Sequence, residues 1–186
     1  MHRRLQHHVQ LALLILPITL LIIGVEACTI EKGKPEAYTT LDIHGLRRAR
    51  CPDIPGCAGY ECACAGATIE NCDLVDCLGS DSCRGADISN SDVICHEEGS
   101  CREASITGAQ QIQCDGRASC FRATLSLSEF GTIFCRALSA CTDAVITGDR
   151  TDRYSSELRC TDGSACRNTV VSNFGRSKLV LLFVLY

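Results

Sequence analysis

Residues 112–126 read I-Q-C-D-G-R-A-S-C-F-R-A-T-L-S and contain one complete copy of a repeated unit. In this unit an apolar residue stands two positions before a first cysteine, and five residues of turn character separate that cysteine from a second one. An alanine follows three residues after the second cysteine, an aliphatic residue comes two positions later, and a Ser or Thr ends the unit. The frame is therefore C-x5-C-x2-A-x-[ILV]-[ST].

The frame occurs four times in full, and a fifth, looser copy has Thr169 in place of the alanine, which is typical of a repeat architecture. Successive first cysteines lie 18, 19, 21 and 25 residues apart. The extra residues are always added between the closing Ser or Thr and the next apolar residue. Insertions at one point of a repeat predict loops on one side of a solenoid. The five cysteine pairs are Cys77 and Cys83, Cys95 and Cys101, Cys114 and Cys120, Cys135 and Cys141, and Cys160 and Cys166.

Each copy contains two short segments with the alternation of a β-strand. Val93 and Cys95 fall on one side of the first segment, and Ala104 and Ile106 on one side of the second. The residues between the two cysteines are small and polar, as a tight corner requires. The sequence thus predicts an all-β, disulfide-rich parallel β-helix (β-solenoid) with an N-terminal Cys-rich cap. Ile106, Leu125 and Ile146 occupy one place in the frame and are predicted to form one inward column.

The cysteines favour disulfides over a metal site. All 16 follow Ala27, and a secretory route with an even, regularly spaced set is typical of a disulfide framework. Zinc sites use cysteines separated by two to four residues, whereas these pairs enclose five. Bridges within a unit and bridges between consecutive units both fit the span of a cystine, and we favour bridges within each unit. The sequence leaves open the pairing of Cys28, Cys51, Cys57, Cys62, Cys64 and Cys72.

We divide the chain into four segments. Residues 1–27 are predicted to be a signal peptide, because two arginines precede an uncharged apolar run and a small-x-small cleavage pattern; a lipid-modified Cys28 is the alternative. Residues 28–63 are the Cys-rich cap and residues 64–178 the solenoid repeats. The apolar tail, residues 179–186, is interpreted as a last half-coil, with the cut end of a longer array as the alternative. It fits a glycolipid-anchor signal poorly, because its apolar stretch is shorter than such a signal requires. We therefore expect a secreted or cell-surface protein with no stable membrane span after cleavage.

Composition narrows the range of partners. The formal net charge is −4, and without the leader it becomes −5, from 16 basic and 21 acidic side chains. Because nucleic-acid binding depends on a concentrated basic face, we expect no nucleic-acid partner. Tryptophan is absent and aromatic residues make up 5% of the chain, so the usual stacking platforms for sugars or bases are missing. No cofactor is predicted.

The frame resembles the Cys-rich β-helix repeats of uncharacterised secreted and surface proteins of algae and other protists. The resemblance covers roughly residues 64–172 and implies a fold and an extracellular location but no activity. Cys135, Cys141, Ala144 and Thr147 are also similar in pattern to the beetle antifreeze repeat. That repeat is shorter and its Thr-x-Thr ladder is regular, whereas the corresponding outward position here is Asp87, Ser105, Thr124, Val145 and Val170.

The sequence contains no serine-nucleophile elbow, phosphate loop, HExxH motif or dinucleotide fingerprint. We therefore expect no enzymatic activity, with a glycan-active β-helix enzyme as a distant alternative. Its candidate groups are Asp87, Asp92, Glu97, Glu98 and Glu103, and a possible ladder of Arg84, Arg102 and Arg167. The predicted role is a non-catalytic binding, adhesion or structural module whose extracellular ligand is a glycan, a protein or, alternatively, an ice surface. The candidate binding face is Ser89, Ser105, Thr107, Thr124, Ser126, Thr147 and Ser172.

Overall fold

The computed structural model describes residues 27–32, 37–41, 46–55, 57, 62–149 and 156–174, and the backbone of 179–181. The predicted signal peptide therefore lies outside the described residues, except for Ala27. All the regular secondary structure in the described part of the chain is β-strand, which confirms the all-β prediction. The strands are β1 (Thr29–Glu31), β2 (Tyr38–Leu41), β3 (Arg47–Cys51), β4 (Thr68–Glu70), β5 (Leu74–Cys77), β6 (Asp87–Ser89), β7 (Asp92–Cys95), β8 (Ser105–Cys114), β9 (Thr124–Cys135), β10 (Val145–Thr147), β11 (Glu157–Cys160), β12 (Val170–Ser172) and β13 (Leu179–Leu181).

Two stacks of parallel strands run along the molecule. Face A consists of the strands that end at the first cysteine of each unit: β3, β5, β7, the end of β8, the end of β9, β11 and β13. Face B consists of the strands that follow the second cysteine: β4, β6, the start of β8, the start of β9, β10 and β12. Equivalent residues pair directly, as Cys77 does with Cys95 and Ile88 with Ile106. The parallel β-helix prediction is therefore confirmed.

A third side, face C, contains the second cysteine of each unit. Its backbone is not a regular strand, yet it hydrogen bonds from coil to coil. The amide of Cys83 donates to the carbonyl of Ser100 at 2.7 Å, and the amide of Cys101 donates to the carbonyl of Ser119 at 2.7 Å. Because these bonds satisfy backbone groups that would otherwise be buried without partners, each coil is held to its neighbours on all three sides.

Left-handed backbone conformations mark the corners between the three faces. At the corner from face A to face C, the positive φ residues are Asp81, Gly99, Ala118 and Ser139. At the corner from face C to face B they are Gly66, Gly85, Glu103, Arg122, Asp143 and Asn168. Asn71, Asn90, Gly108 and Asn173 follow strands of face B. Glycine, Asn and Asp account for ten of these fourteen corner positions, because they adopt this conformation at the least steric cost.

The core is a set of columns that repeat along the axis. Ile106, Leu125 and Ile146 are fully buried, and so are Ile112 and Ile133. A column of alanines and the paired cysteines complete the interior. The inside of each coil is therefore filled mainly by one aliphatic residue from each strand and by one cystine. The predicted inward column also extends to Ile69 and Ile88.

The N-terminal segment covers the first coil with antiparallel strands. β1 pairs with β4, and β2 pairs with β3. The disulfide between Cys28 and Cys72 fixes β1 in place. β3 already pairs in parallel with β5, so the stack begins at Arg47, inside the segment assigned to the cap from the sequence. The remaining open pairings are Cys51 with Cys64 and Cys57 with Cys62.

The growing insertions all lie between face B and the next strand of face A. The register of β8 and β9 shifts between Thr107 and Gln111, where this corner lengthens. Residues 150–155, in the longest insertion, lie outside the described residues. In the tail, β13 pairs in parallel with β11, and Leu181 lies opposite Cys160. The described part of the chain contains no helix that could cross a membrane.

Candidate binding face and disulfide column

Each full copy of the unit closes its own disulfide. The Cα–Cα distances of these five bridges are 5.8 to 6.0 Å. All 16 cysteines are described and none is free. Eight bridges in a chain of this length indicate an oxidising compartment. The five bridges join Cys77 to Cys83, Cys95 to Cys101, Cys114 to Cys120, Cys135 to Cys141 and Cys160 to Cys166.

The bridges form a column of sulfur atoms along the axis. The Sγ atom of Cys120 lies 3.7 Å from that of Cys95 in the preceding coil. The Sγ atoms of Cys95, Cys114 and Cys120 all lie within 4.8 Å of one another. These are disulfide sulfurs, whereas the cysteine species that binds metals is the thiolate. In the oxidised protein the column is therefore a covalent scaffold.

The outer surface of face B carries two columns of side chains. Parallel register aligns Thr124 with Val145 and Val170 in one column. The second column begins with Glu70 of β4 and then contains the residue that closes each unit, which is Ser or Thr in all five copies from Ser89 to Ser172. The residues between the two columns, such as Leu125 and Ile146, are buried. All the residues predicted for the binding face lie on this surface, half-buried or exposed: Ser89, Ser105, Thr107, Thr124, Ser126, Thr147 and Ser172.

The chemistry of face B changes along the axis. The first column begins with Thr68 of β4 and the exposed Asp87, continues with the hydroxyls of Ser105 and Thr124, and ends with Val145 and Val170, which are 44% and 62% exposed. In the second column the hydroxyl oxygens of Thr147 and Ser172 lie 3.3 Å apart. The face thus offers a line of hydroxyls bordered by the carboxylates of Glu70 and Asp87 at one end and by methyl groups at the other.

Face B stays regular while the coils lengthen. From β4 to β12 its strands pair without a register shift over the three residues of each row. The first shift in β8 comes after Thr107, at the end of the row. Because neighbouring parallel strands lie about 4.8 Å apart, the hydroxyls of the second column repeat at about that spacing. The described residues of face B therefore form an even surface whose outward side chains are half-buried or exposed.

The candidate catalytic carboxylates are distributed over different faces and corners, and two of them are engaged in structural contacts. Asp92 accepts hydrogen bonds from the backbone amides of Gln110 and Gln111, beside a groove of about 370 Å³. Glu103 forms ion pairs with Arg84 and Arg102, each at 3.5 Å. Asp87 lies on face B, and Glu97 and Glu98 are exposed at the corner between faces A and C.

The predicted arginine ladder is interrupted. Arg84 and Arg102 occupy the position after the second cysteine in neighbouring coils, but the next two coils have Phe121 and Thr142 there. Arg167 is therefore separated from the other two. Two guanidinium groups lie beside the ring of Phe121. The Cζ atom of Arg102 is 5.1 Å from the ring centroid, and that of Arg122 is 4.9 Å from it. This contact replaces the ladder with a cation–π cluster.

One polar cluster on face A was not predicted from the sequence. Asp76 is 6% exposed and pairs with Arg48 at 3.6 Å, while the Nε2 atom of His96 lies 3.9 Å from its carboxylate. The repeat pattern does not predict this cluster, because the position between the apolar residue and the first cysteine, which Asp76 occupies, varies from copy to copy. Only the register of β3, β5 and β7 brings the three side chains together.

Together, the stacked coils and internal bridges define a disulfide-rich β-solenoid with one even, hydroxyl-bearing face. A comparison of the chain with protein-family models, with curated proteins and with solved structures finds no significant match.

Proposed function

We propose that the protein acts outside the cell as a non-catalytic binding or structural module, with face B as its contact surface. The observation that supports the proposal is the even register of face B, where each of the five copies presents a Ser or Thr at the same place while the added residues follow that place in the sequence. An extended ligand that repeats along its length, such as a glycan chain, matches an extended protein surface that repeats in the same way.

The disulfides support the location. Eight bridges persist in secreted and surface proteins and are rare in reducing compartments. The predicted signal peptide and the resemblance to the algal and protist repeat proteins favour the same placement. We attribute the carboxylates to structural roles, because Asp92 and Glu103 are held by backbone amides and arginines.

Substitution of face B tests the proposal. Thr107→Lys combined with Thr147→Lys places two long charged side chains in the hydroxyl column without changing a buried residue. On an array of purified cell-wall polysaccharides and matrix proteins, the variant is expected to bind at least about tenfold more weakly than the unaltered protein. The array ligand should be recovered undegraded, since release of fragments would indicate an enzyme.

The matched control is Leu78→Lys combined with Leu138→Lys. Both residues are exposed at the corner between faces A and C, and the pair adds the same charge. Its binding should remain unchanged. Equal binding by the face B variant and the unaltered protein, or no binding by the unaltered protein to any array member, would contradict a contact role for face B.

Ice is the second candidate ligand, and the hydroxyl column at about 4.8 Å spacing is the observation that favours it. Measurement of thermal hysteresis with the same variants distinguishes ice from a polymer ligand. Loss of hysteresis in the face B variant alone would support ice, and no hysteresis in the unaltered protein would reject it.

A further inference from the structure

The disulfides of consecutive coils are close enough to react with one another. Each first cysteine lies within 4.8 Å of both sulfurs of the following bridge, as Cys135 does with Cys160 and Cys166, and Cys114 with Cys135 and Cys141. The same holds for Cys77 with the bridge between Cys95 and Cys101. At the N-terminal end, Cys83 lies within 4.8 Å of both Cys51 and Cys64. The sulfurs of six coils therefore form one unbroken chain of neighbours.

We propose that this column is a disulfide-exchange relay, in which reduction of the last bridge moves a single thiol step by step through the core. The inference concerns the redox behaviour of the scaffold and does not depend on the function proposed for face B. Its result is a second covalent state with the same fold, in which bridges connect consecutive coils.

The relay begins with a small monothiol such as reduced glutathione. Its thiolate attacks the Sγ atom of Cys166, the bond between Cys166 and Cys160 breaks, and Cys160 leaves as a thiolate. Cys160 then attacks Cys135, which forms the Cys135–Cys160 bond and releases Cys141 as a thiolate. Each step forms one S–S bond and breaks one, and the attacking thiolate is replaced by a new one, so no further oxidant or reductant is consumed.

Each released thiolate already lies beside its next target. Cys141 is within 4.8 Å of Cys114, and its attack there releases Cys120. Cys120 is 3.7 Å from Cys95, and its attack there releases Cys101. Cys101 in turn neighbours Cys77, and this step releases Cys83. The relay ends at the first coil, where Cys83 faces the bridge between Cys51 and Cys64.

Burial determines where the relay starts. Cys166 is only partly buried, whereas Cys51, Cys77, Cys95, Cys114 and Cys135 are fully buried. A soluble thiol therefore reaches the column at its last bridge. The first product joins Cys135 to Cys160, which lie directly opposite each other in register, and neighbouring coils about 4.8 Å apart fall within the 4.4–6.8 Å between Cα atoms that a cystine accepts. The later products join a first cysteine to the second cysteine of the next coil, and there it is the Sγ atoms that lie within 4.8 Å of each other.

The variant Cys166→Ser tests the relay, because it leaves Cys160 as the only unpaired thiol. The protein is held at mildly alkaline pH without denaturant, quenched with acid, denatured, alkylated and mapped by mass spectrometry. The expected result is the Cys135–Cys160 cross-link with alkylation of Cys141, Cys120, Cys101 and Cys83. Alkylation confined to Cys160, with every other native bridge retained, would overturn the proposal.

The control removes the first acceptor, by adding Cys135→Ala and Cys141→Ala to Cys166→Ser. Alkylation at Cys120 is then expected to fall at least about tenfold, because Cys160 has no neighbouring bridge to attack. Undiminished alkylation would show that the bridges exchange through unfolded chains, and would also overturn the proposal.

A kinetic measurement on the unaltered protein requires no substitution. With limiting reduced glutathione, alkylation should appear at Cys141 before Cys120, and at Cys120 before Cys101. Simultaneous appearance at all three positions would contradict a relay.

Discussion

The side chain of Ser91 joins its own coil to the preceding one through Cys72. Its hydroxyl oxygen accepts a hydrogen bond from the backbone amide of Cys72 at 3.0 Å and donates one to the carbonyl of Ser89 at 2.9 Å. Ser100 is equally enclosed by protein, yet its hydroxyl has no hydrogen-bond partner among the described residues. Two buried serines in one core thus have opposite energetic consequences, because a buried hydroxyl without a partner destabilises the folded state.

We expect Ser100→Ala to stabilise the protein by about 1 kcal/mol, since it removes an unpaired buried hydroxyl at little cost in volume. Ala63, Ala140 and Ala165 occupy the equivalent place in other coils, so the coil accommodates a methyl group there. The measurement is denaturant-induced unfolding with the disulfides intact. The control is Ser91→Ala, which should destabilise by about 1 kcal/mol or more because it removes two hydrogen bonds. A loss of stability in Ser100→Ala would show that its hydroxyl is satisfied in solution.

Opposite substitutions at Ala118 and Gly99 test the energetic cost of the left-handed backbone at the corner between faces A and C. They occupy equivalent positions with φ of 49° and 66°. A left-handed alanine costs roughly 1–2 kcal/mol, part of which is offset by the lower backbone entropy of alanine in the unfolded chain. We expect Ala118→Gly to stabilise by up to about 1 kcal/mol, and Gly99→Ala to destabilise by at least as much. Thermal unfolding of both variants gives the signs, and two changes of the same sign would contradict the corner argument.

Leu125 tests the inward column of face B. It is fully buried, and Leu125→Asp would place a carboxylate in the core without a partner, which costs several kcal/mol and should abolish folding. The expected readout is loss of secreted protein and of protease resistance. Thr124→Asp is the matched control, because Thr124 is exposed and Asp87 naturally occupies the equivalent position. Secretion of Leu125→Asp at the level of the control would refute the burial.

The ion pair of Arg47 and Asp73, near the cap, is predicted to make a pH-dependent contribution to the free energy of unfolding. The guanidinium and the backbone amide of Arg47 both donate to the Asp73 carboxylate and lower its pKa below the ordinary 3.8. Because the folded-state pKa is depressed, the stabilisation is present above pH 3.8 and is lost as the pH falls through the folded-state value. Solvent screening at this partly exposed pair limits it to at most about 1 kcal/mol.

Asp73→Asn should therefore be less stable than the unaltered protein near neutral pH, and the difference should narrow as the pH falls below 3.8. Unfolding midpoints recorded across that range provide the comparison. Asp76→Asn, which removes a different carboxylate from face A, is measured beside it for comparison. A constant difference between Asp73→Asn and the unaltered protein at every pH would show that the pair makes no charge-dependent contribution.

The repeat predicted most of the solenoid because one frame specifies strand, corner and column together. Five copies with the same inward positions, such as Ile106 and Leu125, determine which side of each strand is buried. The start of the stack was less evident, since 13 positions separate Cys51 from Cys64 while the later pairs are 6 apart. The first coil therefore did not match the frame, although Ala49 and Cys51 fit its first half.

The cap could not be derived in the same way. Six cysteines allow many pairings, and spacing alone does not select one of them. β1 and β2 are short, and their antiparallel pairing depends on contacts with β4 and β3 that no local pattern encodes. The cluster of Asp76 with His96 likewise exists only through the register of neighbouring strands. The ligand of face B is also outside the reach of sequence reasoning, because Ser and Thr suit any exposed strand.

The within-coil bridges also determine how the molecule would respond to tension. Each of the five bridges encloses only the five residues between its cysteines, so the backbone is the sole covalent connection from one of these coils to the next. A force applied to the chain would therefore unfold the coils one after another, and the bridge would keep about 14–16 Å of extended chain in each coil from lengthening. At the other end, the bridge from Cys28 to Cys72 ties the cap across 44 positions and would hold that end closed.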